Sequence, residues 1–319
     1  MRPLVSFVIP VRNDARRLHR CLASIVRNEY PRELIELIVV DNESTDGSAR
    51  AARDYGAIVI TASDTSVASL RNRGARAALG GIIAFVDADH EIDPTWIATA
   101  ADVLSDPKVA AAGSAYLTQP SANWVQRQYD GLRTRPLGRE EVSWLGSGNL
   151  AIKRAVFERV GGFDASLTAC EDVDLCNRVG QAGHRIMADP RLRSIHFGDP
   201  KTLKALFFGE LWRGRDNLRV TFRGPRSLRH FRSALLPVGE LYCLNVSVVA
   251  VLFGSPTIAA AFLIAALVPS GIRAAGIVRR QLRPGILVAL QALTVAVVFD
   301  LARALALIAR GTHRARRTA

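Results

Sequence analysis

The chain has 319 residues, of which 49% are hydrophobic and 22% are charged. This composition excludes an intrinsically disordered chain, and the length suits one sizeable domain with an appended region. The formal net charge of +13 is unevenly placed, because residues 1–200 carry 24 basic and 25 acidic side chains whereas residues 201–319 carry 18 and 4. A nucleic-acid-binding domain would need basic charge on its folded part, so the pattern predicts anionic membrane lipids as partners and no nucleic acid.

The cysteines and the N-terminus point to a reducing compartment. None of the four cysteines forms a Cys-x-x-Cys pair, so we expect free thiols and no cysteine-bound metal. The apolar stretch after Arg2 is short and contains Pro10, which is not the pattern of a secretory signal. We therefore expect the first domain to stay in the cytoplasm.

Short apolar strands alternate with amphipathic helices in the first part of the chain. The pattern predicts strands over residues 4–10, 34–41, 57–61 and 82–86, and helices over residues 15–27, 48–55, 67–79 and 173–182. Asp93-Pro94 predicts a further helix start, because a carboxylate caps free N–H groups and proline fits the first helical position. Repeated strand–helix–strand units predict an α/β fold with a doubly wound, mainly parallel sheet, whose ligand crevice lies at the carboxyl ends of the strands.

The character of the chain changes after Pro200. Residues 201–236 carry nine basic and two acidic side chains together with five phenylalanine or tryptophan residues. This composition is typical of an interfacial helix on a membrane, and equally of a solvated face packed on the preceding domain.

Three apolar segments follow, and they predict a helical transmembrane region. They cover residues 235–253, 256–272 and 285–309. The intervening residues 273–283 hold four arginines and no acid, which predicts a cytoplasmic loop after a hairpin of two spans. The third segment is left open between a span and an interfacial helix, because a crossing would place the basic tail, residues 310–317, outside. The predicted parts are a catalytic domain (1–200), a basic amphipathic segment (201–234) and a membrane region with two or three apolar helices (235–319).

The strongest local motif is the Asp-x-Asp formed by Asp87 and Asp89 directly after an apolar strand. Two such carboxylates can converge on a hard divalent cation, and Mg²⁺ and Mn²⁺ both accept oxygen ligands and bridge to phosphates. By itself the pattern is also typical of a solvated acidic turn. A second acidic strand end at Asp41 and the Glu171-Asp172 pair downstream favour the interpretation as a metal site.

Six short motifs in order over residues 4–200 resemble the family-2 glycosyltransferases of the GT-A fold. They are Ile-Pro-Val-Arg-Asn, Val-Asp-Asn-x-Ser-x-Asp-Gly-Ser, Leu-Arg-Asn-Arg-Gly, Asp-Ala-Asp, Gly-Gly-Phe-Asp and Glu-Asp-Val-Asp-Leu. The resemblance implies that Asp41 binds the nucleotide base and that Pro10, Arg12 and Arg71 line the nucleotide pocket. It also implies that Asp87 faces the ribose or the metal and that Asp89 binds the Mn²⁺ or Mg²⁺ ion.

The Glu-Asp motif carries the chemistry that the resemblance implies. Asp172 would be the general base, and the like charge of Glu171 would raise its pKa toward a useful value. His196 is balanced between a metal ligand and a structural histidine, and Asp174 is assigned to the helix start.

Residues 146–149 are read either as lining the donor-sugar and acceptor region or as a turn before a helix at Lys153. Trp144 is read as a core residue in preference to a sugar-stacking one.

The resemblance implies inverting transfer of a single sugar from a nucleotide-diphosphate sugar to a lipid-linked or cell-surface glycan acceptor, as in cell-envelope polysaccharide synthesis. The enzyme would act on the cytoplasmic face of the inner or plasma membrane. The Gln-x-x-Arg-Trp motif of the processive synthases is missing at residues 210–215, where Arg213 or Arg215 is the candidate to reach the diphosphate.

Two other functions compete with this interpretation. A membrane-attached nucleotidyltransferase would usually place a glycine-rich loop after the first strand, and residues 10–17 contain no glycine. A non-catalytic membrane scaffold would have no need of the clustered carboxylates, whose mutual repulsion is costly.

Overall fold

The computed structural model describes residues 2–63, 66–133, 135–224, 228–281 and 285–308. These form two compact units, Met1–Gln119 with Thr134–Gly198, and Pro120–Arg133 with Asp199–Ala319. Residues 120–133 thus join the second unit although they fall within the range predicted as the catalytic domain. The basic tail at residues 310–317 and Arg283 of the predicted loop lie outside the described residues.

Eleven strands are described in the first unit. They are β1 (Val5–Val11), β2 (Ile35–Asp41), β3 (Ile58–Thr61), β4 (Ile82–Val86), β5 (His90–Ile92), β6 (Val109–Gly113), β7 (Leu117–Thr118), β8 (Glu140–Glu141), β9 (Asn149–Lys153), β10 (Arg185–Ala188) and β11 (Ser194–His196).

The strands form an eight-stranded sheet in the order β3-β2-β1-β4-β9-β6-β10-β8 and a three-stranded sheet in the order β5-β11-β7. β1 pairs in parallel with β2 and β4, and β2 pairs in parallel with β3. Because parallel strands are covered on both faces, β1, β2 and β4 are nearly continuous apolar runs. The predicted α/β fold with a mainly parallel sheet is confirmed.

The strand β9 corrects one part of the sequence interpretation. No strand was predicted between residues 146–149 and the helix expected at Lys153, but residues 149–153 form a strand that pairs antiparallel with both β4 and β6, and the helix begins after it at Arg154. Its residues Leu150, Ala151 and Ile152 are fully buried. A short apolar run of this kind cannot be distinguished from the start of a buried helix by periodicity alone.

Helices of the first unit cover the sheet. They are α1 (Ala15–Val26), α2 (Ser48–Asp54), α3 (Val67–Ala77), α4 (Trp96–Val103), α6 (Arg154–Arg159) and α7 (Glu171–Gln181), with α5 (Trp124–Asp130) belonging to the second unit. α4 begins at Trp96, two residues beyond Pro94, and the Asp93 carboxylate accepts a hydrogen bond from the Thr95 N–H at 3.1 Å just before it.

The second unit is helical. Besides α5 it contains α8 (Leu203–Arg213), α9 (Asn217–Arg223), α10 (Leu228–Leu252), α11 (Pro256–Arg279) and α12 (Ile286–Ala306). Within the described residues, three segments are long and apolar enough to cross a membrane: Leu235–Leu252, Pro256–Arg279 and Ile286–Ala306. These apolar helices indicate membrane association.

The helix α8 has two different faces. Leu206 packs with Val125 and Val295 in a small apolar core of this unit, and the buried Glu210 carboxylate accepts a hydrogen bond from Arg303 of α12 at 2.7 Å. Phe208 and Trp212, in contrast, are exposed. The basic segment is therefore both a packed face and an exposed aromatic one.

Candidate active site

The carboxyl ends of β1, β2 and β4 lie at one edge of the sheet, because the strands are parallel neighbours. A cavity of about 290 Å³ opens there. Its lining combines four of the predicted site residues with the adjacent Asp14 and with apolar contacts: Pro10, Val11, Arg12, Asp14, Val67, Leu70, Asp87, Ala88 and Asp89.

Two loops are tied together beside this cavity. Asn13 has a φ of +52° and its side-chain oxygen accepts a hydrogen bond from the Thr45 N–H at 2.7 Å. The Asp46 carboxylate accepts hydrogen bonds from the Ser48 hydroxyl at 2.6 Å and from the Ala15 N–H at 2.9 Å, which lower its pKa. The Val-Asp-Asn-x-Ser-x-Asp-Gly-Ser motif therefore fixes the loop that carries Arg12.

Asp41 lies at the end of β2, where it is buried opposite Val11 in the register with β1. Its carboxylate accepts a hydrogen bond from the Ser44 N–H at 3.3 Å. The carboxylate is thus at the base of the tied loops and next to a residue that lines the cavity.

Arg71 is only 3% exposed and lies beneath the site between two carboxylates. Its guanidinium donates to Asp87 Oδ1 at 2.6 Å and to Glu171 Oε1 at 2.8 Å. Burial lowers the pKa of Arg71, but Asp87 and Glu171 more than offset this and hold it above its ordinary value. Arg71 thus connects the Asp-x-Asp motif to the Glu-Asp motif.

Asp172 is the second residue of α7, and its pKa is raised toward the range that suits a general base. Burial of its carboxyl group, reinforced by the charge of Glu171, raises its pKa to about 7, although the residue keeps part of its surface exposed. Hydrogen bonds from the backbone N–H groups of Val173, at 2.8 Å, and Ser147 oppose this shift. A carboxylate of this pKa is suited to accept a proton near neutral pH.

Residues 146–149 lie against the two acidic motifs. A β-carbon added at Gly146 would lie 3.8 Å from the Asp172 carboxylate, and one at Gly148 would lie 2.6 Å from that of Asp87. Asn149 has a structural role instead, because its side chain hydrogen-bonds to Trp96, Ser114 and Leu192.

Trp144 corrects a second expectation. It is 51% exposed and not part of the core. Trp144 precedes Leu145, which is the buried residue of this stretch.

A group that can hold a metal ion is formed by Asp89, His90 and His196. Their ligand atoms lie within 4.8 Å of one another, and His196 Nε2 is 3.3 Å from Asp89 Oδ2. Asp87, the other predicted ligand, is bonded to Arg71 and lies outside this group.

Two observations indicate that these residues fit a divalent cation. One carboxylate and two imidazoles are ligands that Mn²⁺ and related ions accept. A β-carbon at Gly198 would overlap the Asp89 carboxylate and lie 2.8 Å from His196 Nε2, so glycine keeps the space beside both ligands open.

The charge of Asp89 is also favoured by its surroundings. Burial raises the pKa of Asp89, but the hydrogen bond from His196 and the charges of His196, His90 and Arg17 outweigh this and hold it well below its ordinary range. Arg17 Nη1 lies 3.7 Å from Asp89 Oδ2.

Three remaining predicted residues lie elsewhere. Asp174 forms an ion pair with Arg178 at 2.7 Å within α7, as expected of a structural residue. Arg213 pairs with Glu210 at 3.0 Å inside the second unit. Arg215 also belongs to that unit.

His90 is the site residue that the sequence interpretation missed. It follows Asp89 directly, but a histidine beside an acidic motif has no distinctive spacing. Its relation to His196 depends on the pairing of β5 with β11, which brings the two into register.

The chain is similar in sequence to known glycosyltransferases. Residues 6–162 match the sequence model of glycosyl transferase family 2. The glycosyltransferase AglE of Haloferax volcanii is 28% identical over 242 residues, which cover 71% of this chain and 77% of AglE. The glucosyl-dolichyl phosphate glucuronosyltransferase of the same organism is 26% identical over 219 residues, covering 60% of this chain and 68% of that protein.

A solved structure shares the fold over most of the chain. It is that of the mannosyltransferase PcManGT from Pyrobaculum calidifontis in complex with GDP-Man and Mn²⁺, with a TM-score of 0.62 and 22% identity. The similarity covers 93% of this chain and 86% of PcManGT.

Proposed function

Because the chain belongs to glycosyl transferase family 2, we propose that it transfers a single sugar, with inversion, from a nucleotide-diphosphate sugar to a glycan or lipid-linked acceptor. The observation that carries the proposal is the convergence of three features at one sheet edge. They are the cavity beside Arg12, the carboxylate–imidazole group at Asp89, and the raised pKa of Asp172.

The donor's nucleoside diphosphate would bind at the cavity. The Pro10–Arg12 stretch and the carboxylate of Asp41 would contact the nucleoside, and Asp87, held by Arg71, would face the ribose. Asp89 and His196 would hold Mn²⁺ or Mg²⁺, which supplies positive charge to the leaving diphosphate when bound. The solved complex of PcManGT with GDP-Man and Mn²⁺ supports a donor of this class.

The transfer step needs one base. The acceptor hydroxyl oxygen would attack the anomeric carbon, and the bond from that carbon to the diphosphate would break, with the electron pair leaving on the diphosphate. Asp172 would take the proton of the hydroxyl as the new glycosidic bond forms. Glu171, which is bonded to Arg71, would contribute through its charge to the raised pKa of Asp172.

The second unit supports the proposed acceptor class and location. The apolar helices would hold the enzyme in the inner or plasma membrane, and Arg273, Arg279 and Arg280 near the end of α11 favour the cytoplasmic side there. The exposed Phe208 and Trp212 on a basic segment support contact with anionic lipids. An acceptor carried on a lipid would reach such an enzyme, and the dolichyl phosphate acceptor in the name of the glucuronosyltransferase relative supports this class.

The proposal is tested by calorimetric titration of the detergent-solubilised protein with UDP, GDP and dTDP, each with and without Mn²⁺. We expect one diphosphate to bind in a metal-dependent way, and Asp89→Ala to weaken that binding at least about tenfold because a metal ligand is lost. The exposed Asp54 on α2 provides the control Asp54→Ala, which should bind as the wild type does. If none of the three diphosphates binds, the donor site is refuted and a non-catalytic scaffold becomes the better explanation.

A further inference from the structure

His90 and His196 are direct partners across two antiparallel strands. His90 begins β5 and His196 ends β11, and the register pairs one with the other. Residues opposite each other in such a pair project to the same face of the sheet. Accordingly, the two imidazole rings lie 4.7 Å apart between centroids, both beside Asp89.

The orientation of the His90 ring is fixed by a neighbour on β11. His90 is 2% exposed, and its Nδ1 lies 2.9 Å from the Ser194 hydroxyl. This contact directs Nε2 toward Asp89, whose Oδ1 is 4.0 Å away. A β-carbon at Gly148 would lie 3.2 Å from the same nitrogen, so glycine keeps the approach to Nε2 open.

The separations fit a shared ion. Two atoms that each lie about 2.1 Å from one divalent cation can be up to about 4.2 Å apart. The distances from Asp89 to His196 and to His90, 3.3 Å and 4.0 Å, both fall below this limit. A side chain that contacts the second nitrogen of a ligating histidine commonly sets the tautomer and orientation of its ring. Ser194 makes this contact with Nδ1 of His90.

We propose that His90 is a third protein ligand of the metal and that the resulting carboxylate and two imidazoles select Mn²⁺ over Mg²⁺. Imidazole is a better ligand for transition metals, whereas Mg²⁺ prefers oxygen ligands and retains its waters. The proposal rests on the proposed function for the role of the ion. It assigns to Ser194 the role of orienting the His90 ring, without binding the metal itself. A site of Asp87 and Asp89 alone would offer only oxygen and would not discriminate in this way.

The ligand set is counted directly in the full-length, detergent-solubilised protein labelled with ¹⁵N-histidine. Electron–nuclear double resonance of Mn²⁺, added alone and then with GDP or UDP, detects the imidazole nitrogens bound to the ion. We expect two nitrogens in the wild type and one in His90→Asn. One nitrogen in the wild type, or no bound Mn²⁺, would overturn the proposal.

Affinity gives a second readout. The ratio of the Mg²⁺ to the Mn²⁺ dissociation constant should fall by about tenfold or more in His90→Asn, and Ser194→Ala should weaken Mn²⁺ binding about tenfold. The exposed His19 on α1 provides the control His19→Asn, which should leave both the ratio and the spectrum unchanged. An unchanged ratio of the two dissociation constants in a folded His90→Asn would contradict the proposed selectivity. If that variant does not fold, the number of imidazole nitrogens on Mn²⁺ in the wild type and the Mn²⁺ affinity of Ser194→Ala still test the proposal.

The two proposals fail in different ways. Metal-dependent binding of a nucleoside diphosphate with one imidazole nitrogen on Mn²⁺ would refute the role of His90 and leave the proposed function standing. Two imidazole nitrogens without binding of UDP, GDP or dTDP would refute the proposed donor site and leave the metal ligands standing.

Discussion

The substitution Asp172→Asn separates the catalytic role of the carboxylate from its effect on stability. Asparagine has the same shape and can still accept a hydrogen bond from the Val173 N–H, but it cannot take a proton. We expect the variant to lose transfer while it binds the nucleoside diphosphate as the wild type does. We also expect it to be more stable than the wild type above neutral pH.

The magnitude follows from the pKa of Asp172, which burial and Glu171 raise from 3.8 to about 7. A carboxyl group with a raised pKa stabilises the folded state below pH 4, and this contribution is lost as the pH rises through about 7. A shift of about three units corresponds to at most about 4 kcal/mol. The weakened hydrogen bond to the Ser147 N–H offsets about 1 kcal/mol of this gain in the variant.

Two assays measure these effects between pH 5 and pH 9. In the wild type, the transfer rate should rise about tenfold per pH unit below pH 7 and level off above it, because only the ionised base is active. The thermal midpoint of the variant should exceed that of the wild type by several degrees at pH 8, at about 2–4 °C per kcal/mol, and the difference should shrink toward pH 5. The exposed residue Asp54 supplies the control Asp54→Asn, for which we expect neither effect.

Either of two results would refute this reasoning. Turnover that persists in Asp172→Asn would remove the residue from the role of base. A difference in thermal midpoint that is the same at pH 5 and pH 8 would show that Asp172 is not held at a raised pKa.

Three further outcomes are expected. Arg71→Met should reduce the free energy of unfolding by about 3–5 kcal/mol, because it leaves the buried Glu171 and the partly buried Asp87 without their shared partner, whereas Arg76→Met on the exposed face of the same helix should change it little in urea titrations. Gly198→Ala should abolish Mn²⁺ binding measured by calorimetry because its β-carbon overlaps a ligand, whereas Gly81→Ala, which meets open space, should bind normally. The full-length protein should stay in the pellet when membranes are washed with alkaline carbonate, and its release would contradict insertion of the three apolar helices.

The strands of the parallel part of the sheet were predictable because strands buried on both faces are nearly continuous apolar runs in the sequence. Ile82–Val86 has the predicted bounds, and β1 and β2 differ from their predicted bounds by a single residue at one or both ends. The antiparallel β9 was missed since Asn149–Lys153 has the same apolar content as a helix start. What identifies it as a strand is its partners, which a local pattern does not contain.

The site residues also fall into two groups: those that a local motif reveals and those that only a tertiary contact reveals. Asp87, Asp89 and Asp172 belong to motifs whose residues are adjacent in the chain, so sequence alone was enough to single them out. The role of Arg71 as a bridge depends on Glu171, which is 100 residues away in the chain and comes close only in the folded structure. The same holds for His90, whose partner His196 is defined by the register of a three-stranded sheet. Motifs thus reveal the groups that carry charge, whereas the contacts that orient them, such as that of Arg71 with Asp87, come from tertiary pairing. Substitutions at Arg71 and Ser194 are for this reason the sharper test of the structure, since nothing in the local sequence of either residue predicts that its loss would affect a carboxylate or a metal ion.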